Sequence, residues 1–540
     1  MKKFISISAY LFIFISSIIF SQGLPVISEL APSHRTYYDI QSNGSSHLIQ
    51  MASFSPIDYY LNAVFQCSPQ SDSLNTSRRV LFYCSMDEGS SWFDYGPVQN
   101  GYRSGFPVIQ LTSDGTALVG MNTNAYTGID RAQWFADAAP GAGVFTRLDP
   151  GASGPGLLWP NGIPTASLSH SAKFVFAAGD FLNRGLSVIT SSFSGYALQP
   201  DISNSFSCAF ARGQNGKIGM AYIMDGTVTP GKISYRESTD DGISWSSPVL
   251  VWNPLINNNY GAYYGIDMTY IENTPYVVFE TVKYVSNQPD IHSTARIQLW
   301  SPTVNSGIPI VLDSSDNMTA PNPQSDGFAS VCRPVIGTWD RIFVAYCKAR
   351  TDVLDSNNYF DIYYTYSYSM GDSWLTPQQM TNNSGPISDN RYVSVSSRNY
   401  SYSTPTFHLL FQQDSIPGSF VNGAEKSLAK IMYCKLLLPF PPLGIHNIGS
   451  EIPEAFRLRQ NFPNPFNPKT IIDFDIPTES DAKLTVYNSQ GEVIAVLVDQ
   501  RLTAGSYRVD WNAEAFSSGV YFYSISAGKF YESKKMVLVK

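Results

Sequence analysis

The feature that constrains this chain most is a short apolar segment that returns seven times. It reads Asn62-Ala-Val-Phe-Gln-Cys67, Thr116-Ala-Leu-Val-Gly-Met121, Lys173-Phe-Val-Phe-Ala-Ala178 and Lys217-Ile-Gly-Met-Ala-Tyr222, then Pro275-Tyr-Val-Val-Phe-Glu280, Arg341-Ile-Phe-Val-Ala-Tyr346 and Thr406-Phe-His-Leu-Leu-Phe411. Short runs rich in β-branched and aromatic residues indicate buried strands rather than helices. Each is preceded by another apolar strand, such as Phe106-Pro-Val-Ile-Gln-Leu111 or Tyr392-Val-Ser-Val-Ser396. A third follows, such as Val80-Leu-Phe-Tyr-Cys84, Lys232-Ile-Ser-Tyr235 or Asp361-Ile-Tyr-Tyr-Thr365. One small twisted sheet cannot bury both its faces, whereas sheets stacked radially bury the faces between them and leave short edges. The expectation is an all-β fold: a β-propeller over residues 22–438 with six or seven blades, seven favoured. Six blades plus a closing strand is the alternative, and a two-sheet sandwich would be unusually large.

Composition agrees. Charged residues make up 14% of the chain and aromatic residues another 14%, against roughly 25% charged in an average soluble protein. With 43% hydrophobic residues the chain has enough apolar surface to fold, which excludes a disordered protein. Net charge is −8, and residues 22–450 hold 23 basic and 32 acidic residues without basic runs, so nucleic acid is excluded as a partner. The six cysteines form no CxxC and there is no HExxH, so neither metal nor cofactor is expected. Cys67 and Cys84 fall on neighbouring predicted strands, as do Cys332 and Cys347. Cross-strand disulfides and simple buried thiols are both open at these positions.

The two ends read as addresses. Lys2 and Lys3 precede an uncharged apolar stretch from Phe4 to Phe20, which predicts a cleaved signal peptide over 1–21 rather than a membrane anchor. No later segment is long and apolar enough to span a bilayer, so no permanent transmembrane anchor is expected. Pro439-Phe-Pro-Pro-Leu-Gly444 breaks the repeat, and residues 439–450 read as a semi-rigid linker. Residues 451–540 then show six or seven short alternating strands, the pattern of a small β-sandwich.

Three turns carry a second repeat. Ser85-Met-Asp87-Glu-Gly89-Ser-Ser-Trp92 and Ser238-Thr-Asp240-Asp-Gly242-Ile-Ser-Trp245 fit S-x-D-x-G-x-x-W, and Ser367-Tyr-Ser369-Met-Gly371-Asp-Ser-Trp374 fits with Ser for Asp. Asp or Ser can bond nearby backbone N–H groups, Gly accepts a positive φ, and Trp returns to pack on the next strand. The pattern resembles the Asp box of the sialidase-like β-propeller superfamily. That resemblance implies a structural turn between the third and fourth strands of a blade, on the side away from the ligand pocket. Separately, the segments QNFPNPFNP, VYNSQGEVI, AGSYRVDW, SSGVYFYSI and KKMVLVK closely resemble the type IX secretion C-terminal sorting domain (type A, immunoglobulin-like). This resemblance covers essentially all of 451–540. It implies the type IX machinery as partner, export from a Bacteroidetes- or Chlorobi-like bacterium, and a secreted or outer-membrane surface location.

Hydrolysis of sialidase type would require three arginines on a carboxylate, a Tyr–Glu nucleophile pair and an Asp acid/base. The early Arg-Ile-Pro signature of that family is missing. Arg103, Arg333 and Arg391 do sit at or just before predicted inner strands, where guanidinium groups suit bidentate carboxylate recognition. Candidate carboxylates are Asp267, Asp326 and Asp389, and candidate tyrosines are Tyr263, Tyr264 and Tyr392. Their spacing selects no acid–base pair. The sequence therefore favours a surface module that binds glycan or another surface protein, with a sialidase-like exo-glycosidase as the alternative and a structural surface component as the third reading.

Overall fold

The computed structural model describes residues 24–539 apart from short internal stretches, the longest being 38–46, 69–75, 149–156, 165–173, 190–196, 199–206, 317–327 and 352–358. The signal-peptide segment and most of the Pro-rich linker lie outside the described residues. The described chain is almost entirely β, with two single-turn 3-10 helices and no helix long and apolar enough to cross a membrane.

Residues 24–437 build seven four-stranded antiparallel sheets. In six of them the strands are consecutive. The first runs through Ile49–Ser55, Asp58–Cys67, Arg79–Ser85 and Phe93–Pro97, and the second through Ser104–Leu111, Ala117–Thr123, Arg131–Asp137 and Phe145–Leu148. The third, fourth, fifth and sixth begin at Leu157–Pro164, Cys208–Arg212, Tyr260–Ile271 and Val331–Thr338. The seventh comprises Asp389–Val395, Thr406–Asp414 and Lys430–Leu437, and its outermost strand is the N-terminal Leu24–Glu29, paired from Leu24↔Leu437 to Glu29↔Met432. The first strand of each sheet packs on the first strand of the next, and the seventh packs back on the first, so the inner strands form a closed ring.

All seven recurring apolar segments fall in second strands. Burial falls outward: Ala117–Thr123 is buried at every position, whereas Phe93–Pro97 is exposed to half-buried throughout. That gradient is why the second strand is a continuous apolar run. It has a neighbouring sheet on both faces, and no polar alternation is needed.

A polar residue follows this run in several sheets and ties it to the next sheet. The backbone N–H of Phe106 donates to Gln66 Oε1 at 2.7 Å, that of Trp159 to Asn122 Oδ1 at 2.7 Å, and that of Arg333 to Glu280 Oε2. Each donor sits at a bulge of an inner strand with φ of +53° to +55°, and Tyr392 in the seventh sheet repeats the conformation at +56°. A non-glycine residue in that region costs on the order of 1–3 kcal/mol, which the buried cross-sheet hydrogen bond helps offset. The bulge re-aims the side chain it carries.

Ile445–Gly449, read from sequence as linker, is a strand paired with Ser506–Val509 of the C-terminal unit. That unit holds two four-stranded sheets around one core that includes Phe474, Leu484, Trp511 and Tyr523. Of the two readings left open for Cys67 and Cys84, the strand register rules out a bridge. Cys67 lies opposite Arg79 and Cys84 opposite Asn62, five positions out of register. At ~3.3 Å per residue that separation far exceeds disulfide reach. Cys332 and Cys347 do lie directly opposite, as buried free thiols.

Candidate functional site

Antiparallel order puts the first-to-second and third-to-fourth turns on one end of the ring, and the starts of the inner strands on the other. The three S-x-D-x-G-x-x-W turns join third to fourth strands. In the first, Gly89 N–H donates to Ser85 Oγ at 2.8 Å, and Ser91 N–H and Oγ donate to the Asp87 carboxylate at 2.8 and 2.6 Å. Ser238, Asp240, Gly242 and Ser244 repeat this set, and Ser367, Ser369, Gly371 and Ser373 reproduce its backbone bonds with a hydroxyl in place of the carboxylate. Gly89, Gly242 and Gly371 have φ of +82°, +83° and +103°. Trp245 and Trp374 each donate Nε1–H to the carbonyl of their own turn glycine, and Trp92 packs edge-on to Tyr433. The polar bonds of these side chains close on their own turns.

At the opposite end, the sixth and seventh sheets place two arginines together. Arg333, third residue of its strand, holds its guanidinium 4.9 Å from the Tyr264 ring centroid and 5.0 Å from that of Phe328. Arg391, third in its own strand, lies 4.8 Å from Phe328 and 4.8 Å from Phe360. Phe328 is thus shared by two cations, a stacking arrangement that the arginine plane favours. Tyr392 and Phe360 meet Phe328 edge-on, and Tyr263 does the same to Tyr264. Arg333 is 7% exposed, and its Nε and Nη1 have no hydrogen-bond partner among the described residues. Burial opposes its charge, but Glu280 more than offsets that and keeps the guanidinium protonated.

The carboxylates of this end and of the channel are engaged by backbone N–H groups and by neighbouring cations. Glu280 accepts from the N–H groups of Tyr264 and Arg333. Asp389 accepts from Phe360 and Gly418 N–H at 2.8 and 3.1 Å and pairs with Arg391 Nε at 2.6 Å. Burial pushes its pKa up to about 6 against the pull of Arg391. Asp267 lies deeper in the channel, accepts from Met268 and Ile336 N–H, and reaches His47 Nε2 at 3.1 Å across the ring. Burial also pushes the Tyr263 hydroxyl well above its ordinary pKa, the opposite of nucleophile activation.

The sequence candidates therefore divide. Arg333, Arg391, Asp389, Tyr263, Tyr264 and Tyr392 come together. Arg103 belongs to the second sheet, where Asp130 holds it, so the three-arginine grouping is not assembled. Asp267 sits in mid-channel, and Asp326 lies outside the described residues. Glu280, Phe328, Phe360 and His47 escaped sequence reasoning. Glu280 left a signal, because it ends the apolar run Tyr276-Val-Val-Phe279 with a charge that a buried strand end must satisfy.

Comparison with known proteins decides the C-terminal unit. Residues 460–540 match the family described as "Secretion system C-terminal sorting domain". The chain carries a type IX export signal. It is thereby marked for the cell surface or the medium. A search of curated proteins finds no match. Among solved structures, a protein of unknown function from Dyadobacter fermentans is 12% identical with a TM-score of 0.38, covering 76% of this chain and 99% of its own. An exo-β-1,3-galactanase from Phanerochaete chrysosporium is 8% identical with a TM-score of 0.30, covering 94% and 100%. An α-L-arabinofuranosidase catalytic domain from Coprinopsis cinerea is 11% identical with a TM-score of 0.30, covering 73% and 98%.

Proposed function

We propose that the chain is an exported seven-bladed propeller of the Asp-box, sialidase-like type that binds an acidic surface glycan without hydrolysing it. On this reading residues 1–21 direct passage across the inner membrane, and the sorting domain directs the outer-membrane step. The Asp-box side chains hold turns, and the ligand meets the opposite end of the ring.

The observation that carries the reading is Arg333. A guanidinium clamped between Tyr264 and Phe328, with donors left unpartnered, suits a carboxylate presented beside a sugar ring. Catalysis would need carboxyl oxygens turned toward the substrate, whereas Glu280, Asp389 and Asp267 spend theirs on backbone N–H groups. The test is an array of acidic and neutral glycans probed with the purified protein, alongside a fluorogenic sialoside. Retention of acidic glycans, lost on Arg333→Ala, with no released fluorophore, is expected. Turnover abolished by Arg391→Ala in a folded variant would instead make the protein an exo-glycosidase.

A further inference from the structure

The channel end that carries the S-x-D-x-G-x-x-W turns contains a cavity of about 200 Å³, walled by residues of six sheets. Two cross-ring contacts frame it. On the inner side His47, from the first sheet, reaches Asp267 of the fifth and bonds the Val395 carbonyl of the seventh at 3.1 Å. Burial opposes charge on His47, but the Asp267 carboxylate outweighs it and raises the imidazole pKa. On the outer side Arg398, just past the inner strand of the seventh sheet, donates Nη2–H to the Arg212 carbonyl of the fourth sheet at 3.2 Å. Arg398 is solvent-exposed and spans the opening through this one side-chain hydrogen bond among the described residues.

The wall between these contacts is lined with hydrogen-bonding groups. Gln50 is 3% exposed, and its Oε1 accepts from Ser397 N–H and Oγ at 3.2 and 2.8 Å. That pairing fixes the amide of a side chain that lines the chamber, and its Nε2 is buried without a partner among the described residues. A buried amide donor left unsatisfied costs on the order of 1–3 kcal/mol, so its retention points to an acceptor that enters. Gln110 and Thr269, both buried in the same wall, add an amide and a hydroxyl, and Arg212 and Arg398 also line it. A lining that combines amides, a hydroxyl and arginines matches a ligand that carries both hydroxyls and a negative charge. A chamber of about 200 Å³ has room for a sugar ring.

We propose that this chamber is a second ligand site, for a single hydroxylated ring bearing a carboxylate, with Arg398 as the group that must swing aside and then close on the charge. The site lies at the opposite end of the ring from Arg333 and does not depend on the function proposed above.

The test is isothermal titration of the full-length exported protein with sodium glucuronate, with glucose as the neutral control. Saturable binding of glucuronate that persists in Arg333→Ala is expected, at least tenfold tighter there than glucose, and weakened tenfold or more by Arg398→Ala. Arg398 is exposed, so that variant keeps the fold. Gln50→Leu, which keeps the side-chain volume, should weaken binding to the same degree, with melting temperature as the check on folding. Arg333→Ala should leave glucuronate binding in the chamber unchanged. Absence of saturable binding, or binding lost with Arg333→Ala and kept with Arg398→Ala, would overturn the site. Equal affinity for glucose would overturn the carboxylate assignment.

Discussion

Glu280 concentrates more consequence than any other buried side chain described here. It accepts two backbone N–H groups from two sheets and is the charge that stabilises Arg333. Glu280→Ala would strand both donors and leave a buried guanidinium uncompensated, a defect worth about 3–5 kcal/mol. Chemical denaturation should therefore show a large loss of stability, together with loss of any Arg333-dependent binding. His408 makes a different prediction. It is fully buried against Tyr433, with Nδ1 2.7 Å from the hydroxyl, and Lys435 is its charged neighbour. Burial first, then Lys435, lowers its pKa to about 3. The unfolded chain takes up a proton at this position below about pH 6.5 while the folded chain does not, so stability from this group is full above that pH. It is lost progressively as pH falls toward 3. Thermal melts of His408→Gln should show a shallower decline between pH 6 and 4 than the parent protein.

Among elements, the third-to-fourth turns give the clearest case. Ser85 is fully buried, accepts from Gly89 and Asp87 N–H, and donates to Asp87. Ser85→Ala should cost about 1–2 kcal/mol, the usual consequence of leaving a buried donor unpaired, and should leave binding at the Arg333 end intact. Loss of binding with an unchanged melting temperature would place the ligand on the wrong end of the ring. These turns were legible in the sequence because their polar chemistry is local: the Ser85, Asp87, Trp245 and Trp374 side chains hydrogen-bond within four residues. The second strands were legible for a related reason, since burial on both faces writes itself as an unbroken apolar run. Arg333 and Arg391 could be nominated but not joined, because Phe328 joins them across two sheets. His47 and Asp267 are 220 positions apart and meet only after the ring closes, so no spacing predicts them. Ile445–Gly449 was assigned to the linker because the Pro-rich segment before it dominates the local pattern, while its pairing partner lies near Tyr507.

Over the whole molecule, closure depends on the pairing of Leu24–Glu29 with Lys430–Leu437. Deleting residues 24–29 removes the outermost strand of the seventh sheet and uncovers the edge of Lys430–Leu437, which is otherwise paired on both sides. Edges of that kind recruit other chains. The shortened protein is expected to melt earlier and to elute as oligomers in size-exclusion chromatography, with the full-length chain as control. The same pairing bears on quality control during export. The ring is finished by the first and the last strands of the repeat region, and the export signal begins only after the last one. A chain cut short before Lys430 can neither complete its ring nor present the tag that would carry it outward. Any chain that carries the export signal has therefore already been translated through both strands that close its ring.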